Sequence, residues 1–192
     1  MQVNEHTPLK RLIQQAYSAE KAAAFAYQGH ATSLKDPKQK RLVRQIEMDE
    51  WHHRAVMLEL MARYDFRPSI WYELRFAVVG KIISSACFVI GRFMPIYFAG
   101  RLESGNVCEY FRMIHLFHEI GITEHDQMLY DLGVKEKEHE ALFYDWVKDD
   151  PWLPFFEKWF NWGRDAQLND VELENLRPSS ESEMYCKNST HS

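Results

Sequence analysis

The sequence predicts an all-α protein, a four-helix bundle with one extra short C-terminal helix. Three observations lead there. No window alternates apolar and polar residues over a strand's length, and no hairpin turn signal joins two such windows. Four long stretches instead carry apolar residues at helical spacing between recognisable start and stop signals. With 192 residues, 46% of them hydrophobic, the chain can also bury one sizeable core.

Thr7-Pro8 has the form of a cap followed by proline in the first turn, and good helix formers continue through AYSAEKAAAFAYQGHA, so helix one is expected to end near Ser33. Asp36-Pro37 repeats the signal. Leu42, Val43, Ile46, Met57, Leu58 and Met61 keep helical spacing up to a turn at Phe66-Arg67-Pro68. A third helix is expected from Ser69 to about Phe93, with a break at Pro95 before the pattern resumes from Ile96 to Ile120. Thr123, with Asp126 three residues on, resembles a capping box, and that helix should last to about Lys148, where Asp149-Asp150-Pro151 stops it. The expected organisation is a helical bundle over 1–148, an aromatic amphipathic segment over 149–163 that packs on the bundle or a membrane, and a polar, disordered tail over 164–192.

Composition narrows the function. A net charge of −5 gives no general reason to bind phosphate backbones, so nucleic acid is set aside, and the basic run from Lys35 to Arg44 reads as the solvated start of a helix. Three cysteines, Cys87, Cys108 and Cys186, without a CxxC, offer neither a disulfide framework nor a zinc or rubredoxin-type site, which fits a reducing cytoplasm. The N-terminal MQVNEHTPLKRLIQQ lacks the apolar core of a secretory signal. The apolar stretch from Phe76 to Ala99 carries Lys81, Gly91, Arg92 and Pro95, so it is expected to be a buried or interface-lying helix pair rather than a membrane span.

Two Glu-x-x-His units carry the chemistry, Glu50 with His53 and Glu136 with His139; each places a carboxylate and an imidazole one helical turn apart. A single unit is weak, because roughly one such spacing arises by chance in a chain of this composition. The layout is more specific. Glu20 lies 30 residues before Glu50, Glu103 lies 33 before Glu136, and a tyrosine follows each lone glutamate after seven residues, Tyr27 and Tyr110. One Glu from each of two helices plus a Glu-x-x-His from each of two others is the known arrangement of ferritin-like di-iron and di-manganese proteins. Four carboxylates and two neutral imidazoles offset two divalent ions and leave positions open for O₂, and the imidazoles favour iron over magnesium, with manganese an alternative. The candidate ligands are therefore Glu20, Glu50, His53, Glu103, Glu136 and His139, with Tyr27 and Tyr110 as neighbours of the metals or plain core aromatics. Glu109 competes with Glu103 but breaks the spacing and the tyrosine echo. His52 competes with His53 through Asp49 but has no echo in the second half, and His115 and His118 have no Glu-x-x-His partner.

The motifs AEKAAAFAYQGH (19–30), EMDEWHH (47–53), RPSIWYELRFAVVG (67–80), LESGNVCEY (102–110) and EKEHE (136–140) carry a family likeness. Over about 130 residues, Tyr17 to Trp146, the sequence resembles the demethoxyubiquinone hydroxylases, membrane-associated di-iron monooxygenases of ubiquinone biosynthesis. The resemblance implies the same six ligands and a lipid quinone drawn from the membrane. It also implies that the Phe76–Ala99 stretch lies against the bilayer, which Trp71, Trp152, Trp159 and Trp162 would suit. The chain departs from the family pattern in three places: Glu109 stands where a His commonly precedes the tyrosine, about 50 residues follow the last Glu-x-x-His, and helix one has Ala where Gly is common.

The expected function is a di-iron, O₂-dependent monooxygenase that hydroxylates an apolar, quinone-like substrate with electrons from an external donor, since no flavin or nicotinamide fingerprint is present. It is expected in the cytoplasm, on the inner face of the membrane in the family-implied case, as a monomer or a homo-oligomer. The rival readings are a ferritin-like metal-handling or peroxide-scavenging protein and a non-enzymatic helical interaction module.

Overall fold

The computed structural model describes residues 3–163, all-helical apart from turns and in keeping with a ferritin-like helical bundle that carries a short C-terminal helix. The expected disorder of residues 164–192 lies outside the described residues. In order the helices are α1 Thr7–Ser33, α2 Pro37–Arg63, α3 Ile70–Ala86, α4 Phe93–Glu119, α5 Asp126–Val147 and α6 Leu153–Phe160. None is long and apolar enough to cross a membrane.

The chain forms two compact units, Met1–Arg92 and Phe93–Ser192. In the first, α1 and α2 make a hairpin over the three residues Leu34, Lys35 and Asp36. His6, rather than Thr7, caps α1: its Nδ1 accepts from the Leu9 N–H at 3.3 Å. Asp36 caps α2 through the Lys38 N–H at 2.9 Å. Leu9, Ile13, Ala24, Val43, Met57 and Met61 are sealed from solvent and fill the core of this unit.

The third predicted helix is corrected. It ends at Ala86, and the break falls over 87–92, where Gly91 takes a positive φ of 79°, instead of at Pro95. Pro95 sits in the first turn of α4, where an N–H has no intrahelical partner to lose, so proline is tolerated. On α3 only Gly80 is buried, while Ile70, Trp71, Leu74, Val78 and Ile82 face solvent, so within the Phe76–Ala99 stretch burial holds for Pro95, Ile96, Tyr97 and Ala99 on α4 but not for the α3 part. α3 lies on α1 with very little between the backbones: a methyl group at Gly80 would sit 2.6 Å from the Ala22 carbonyl oxygen, and one at Gly29 would collide with that of Ser84.

In the second unit α4 pairs with α5. The capping box expected at Thr123 is absent; α5 begins at Asp126 after His125, which makes no side-chain cap bond. The aromatic segment forms α6, whose inner face packs on α4 through Phe156 against Phe93 and Tyr97, at ring distances of 5.1 and 5.2 Å. Its outer face exposes Trp152, Phe155 and Trp159, whereas Trp162 is only 1% exposed and so is withdrawn from any interface. Cys87 is a buried free thiol.

Candidate metal centre

Each unit gathers three of the predicted residues. In the first, Glu20 on α1 and Glu50 on α2 stand thirteen residues from the facing helix ends Ser33 and Pro37. Equal distances from a tight hairpin turn bring the two side chains level, about 20 Å from the turn at helical rise. His53 lies one turn beyond Glu50 on the same side. A carboxylate oxygen from each glutamate and a ring nitrogen of His53 lie within 4.8 Å of one another, and all three residues are buried.

In the second unit Glu103 on α4 meets Glu136 and His139 on α5 in the same way, with ligand atoms within 4.8 Å of one another and all three residues buried. Asn106, one turn after Glu103, donates from Nδ2 to Glu103 Oε2 at 3.2 Å, and His139 Nδ1 lies 3.5 Å from Glu136 Oε2. Two buried carboxylates this close repel strongly in a low-dielectric setting unless a cation or proton intervenes. Carboxylates with one imidazole per triad are a donor set that suits iron or manganese.

The competing candidates fall elsewhere. Glu109 is only half-buried and takes no part in the cluster that holds Glu103. His52 is exposed beside the buried His53. His115 is exposed, and His118 faces solvent with Nε2 at 2.8 Å from the Asp126 carboxylate. Tyr27 and Tyr110 are both buried on the helices that carry Glu20 and Glu103. The Tyr27 ring lies 6.4 Å from that of His30, whose pKa burial pushes down to about 4.

Three contacts beside the triads escape sequence reasoning. Asn106 is one. Arg54, directly after His53, stacks 3.5 Å over the Tyr17 ring and donates to both Glu73 oxygens, at 2.9 and 2.7 Å. Burial pushes the Glu73 carboxyl up, but hydrogen bonds from Arg54, Lys21 and Ser18, with the Arg54 charge, outweigh it and bring the pKa down to about 2. Glu140, directly after His139, is buried and accepts from Trp162 Nε1 at 2.8 Å. The Arg54–Glu73 and Trp162–Glu140 contacts leave no spacing signal, because each joins different segments; Asn106 lies one turn after Glu103 on α4, a spacing too common among polar residues to single it out.

No curated protein and no solved structure matches the chain. A protein-family model does, that of the Ubiquinone biosynthesis protein COQ7, over residues 7–141. The matched region contains all six clustered glutamates and histidines. Spanning well over half of the sequence, the match establishes that the chain belongs to the COQ7 family of ubiquinone biosynthesis proteins.

Proposed function

We propose that the protein is a di-iron, O₂-dependent monooxygenase that hydroxylates a demethoxyubiquinone-like quinone. The observation that carries this reading is the doubled triad: in each unit one lone glutamate and one Glu-x-x-His are buried with their ligand atoms within 4.8 Å, in a chain of a ubiquinone biosynthesis family. Glu20, Glu50, His53, Glu103, Glu136 and His139 would hold the two ions, with manganese the alternative to iron. Their four negative charges match two divalent ions, so the loaded set is neutral and tolerates burial. When bound, two ferrous ions supply the redox chemistry with O₂. The balance is one O₂, two electrons and two protons for each hydroxyl placed on carbon and each water released, so an external electron donor is part of the reaction. The protein's residues do the rest. Asn106 fixes the Glu103 carboxylate by its hydrogen bond. Tyr27 and Tyr110, buried on the same helices as the lone glutamates, are proposed to line the centre and to help keep water away.

The apolar side of α3 fits a lipid-borne substrate. Ile70, Trp71, Leu74, Val78 and Ile82 form one exposed strip, with tryptophan among aliphatics as at a membrane interface. We place the protein peripherally on a lipid surface through this strip. A homo-oligomer that covers it is the competing arrangement, and vesicle flotation beside solution size separates the two.

The deciding experiment is the metal content of the purified protein beside a Glu50→Ala variant. About two irons per chain in the wild type, lost in the variant, support the reading; the next assay is hydroxylation of a demethoxyquinone with a chemical reductant. A chain that takes up no iron on anaerobic reconstitution is not this enzyme, which leaves the helical interaction module. Iron turnover with peroxide alone, without quinone hydroxylation, selects the metal-handling alternative.

A further inference from the structure

The last described residues return to α4 and α5 from beyond residue 141, where the family match ends. Asn161 closes α6 in the left-handed conformation, with φ of 51°, and this turns Trp162 inward. The carbonyl of Trp162 accepts from the Tyr97 hydroxyl at 2.8 Å, and the Phe160 carbonyl accepts from Arg101 Nε at 2.8 Å, so the turn is stitched to α4. Inside, the indole bridges the two helices. Its Nε1 donates to Glu140, the residue after His139, and its six-membered ring fills the space that a side chain at Gly100 would need. Gly100 lies one turn before Glu103.

The first unit does the same with different atoms. The Arg54 guanidinium follows His53, covers the ring of Tyr17 one turn before Glu20, and is clamped from α3 by Glu73. In both units a planar group covers the position three before the lone glutamate and is fixed through the residue just after the histidine. A rigid group packed at that position resists rotation of one helix against the other. A 20° rotation of a helix displaces side-chain atoms 5–6 Å from its axis by roughly 2 Å, whereas metal–ligand distances tolerate only about 0.2 Å.

We propose that Trp162 is a positioning residue for the α4–α5 triad, fixing the rotation of α5 so that Glu136 and His139 converge with Glu103. The role rests on the metal-binding reading above and comes from a segment outside the family-matched region. A simple core tryptophan would affect stability alone. A positioning tryptophan also sets metal affinity and ligand geometry.

The test titrates Co²⁺ into the metal-free full-length wild type, Trp162→Phe, Glu140→Ala and Glu140→Gln, following visible absorption for ligand geometry and circular dichroism for helix content. Trp162→Phe and Glu140→Ala should bind about tenfold more weakly, the usual scale for losing a group that orients a ligand, with a changed absorption band and unchanged helicity. Glu140→Gln keeps an oxygen for the indole N–H and should retain wild-type affinity and band. Wild-type affinity and spectrum in Trp162→Phe would overturn the proposal while leaving the metal site standing. Equal losses in Glu140→Gln and Glu140→Ala would also overturn it, because the charge and not the bond to Trp162 would then matter. If Trp162→Phe does not fold, the two Glu140 variants decide alone. Absence of Co²⁺ binding in the wild type removes the metal reading and this inference with it.

Discussion

His30 is buried on α1 with its pKa pushed down by burial to about 4, so it folds neutral and charges more readily when unfolded. Its contribution is complete above the unfolded value of 6.5 and is lost as the pH falls from there towards 4, a change on the order of 3 kcal/mol. Chemical denaturation of His30→Gln between pH 7 and 4 should therefore show a flatter stability profile than the wild type. Glu73 acts lower on the scale. Its folded pKa of about 2 lies below the unfolded 4.5, so its stabilisation is present above pH 4.5 and disappears as the pH falls towards 2. Glu73→Gln should cost on the order of 1 kcal/mol at pH 7, given partial solvent screening, and much less at pH 2.5. The candidate ligands could be read from sequence because metal chemistry limits the residue types and helix geometry limits the spacing. Asn106, Glu73 and Glu140 could not, since any of many residues can supply one hydrogen bond to a carboxylate or an indole.

Among the elements, α3 depends most on small residues. Alanine usually favours a helix over glycine by about 1 kcal/mol, but at Gly80 the added methyl would meet the Ala22 carbonyl oxygen at 2.6 Å, and a backbone atom cannot swing aside. Gly80→Ala should lower stability by on the order of 2 kcal/mol, with faster amide exchange over α3 and little change in the α1–α2 hairpin. The vesicle test has a matching variant: Trp71→Ser with Ile82→Glu should abolish flotation with lipid while leaving the melting temperature close to that of the wild type, since both side chains are exposed. Helix starts at Pro37 and near Thr7 were legible because proline and a capping group occupy adjacent positions. The α3–α4 boundary was not. Pro95 draws the eye as a breaker, while the real turn rests on the backbone freedom of Gly91, a residue type that helices also tolerate.

At the scale of the whole molecule, each unit contains a helix pair holding buried carboxylates together, so under the proposed function metal binding and stability are linked. A ligand at a hundred times its dissociation constant adds about 2.7 kcal/mol; for a chain of this size each kcal/mol moves the melting temperature by roughly 2–4 °C. Removing metal with a chelator should thus lower the melting temperature by about 5–10 °C. Glu50→Gln, which removes one of the crowded charges, should melt higher than the metal-free wild type and gain little from iron; scanning calorimetry with and without metal checks both. The repeated Glu and Glu-x-x-His made this two-part plan legible, because both copies carry the same residues at near-equal separations. The two supports were not: one copy uses an arginine held by α3, the other a tryptophan beyond α6. The strip on α3 has a practical consequence as well. Water-facing Ile70, Trp71, Leu74, Val78 and Ile82 make solubility sensitive to solution conditions. Because sulfate strengthens apolar association, ammonium sulfate should precipitate the purified protein earlier than it does the Trp71→Ser/Ile82→Glu variant, and a mild non-ionic detergent should erase the difference.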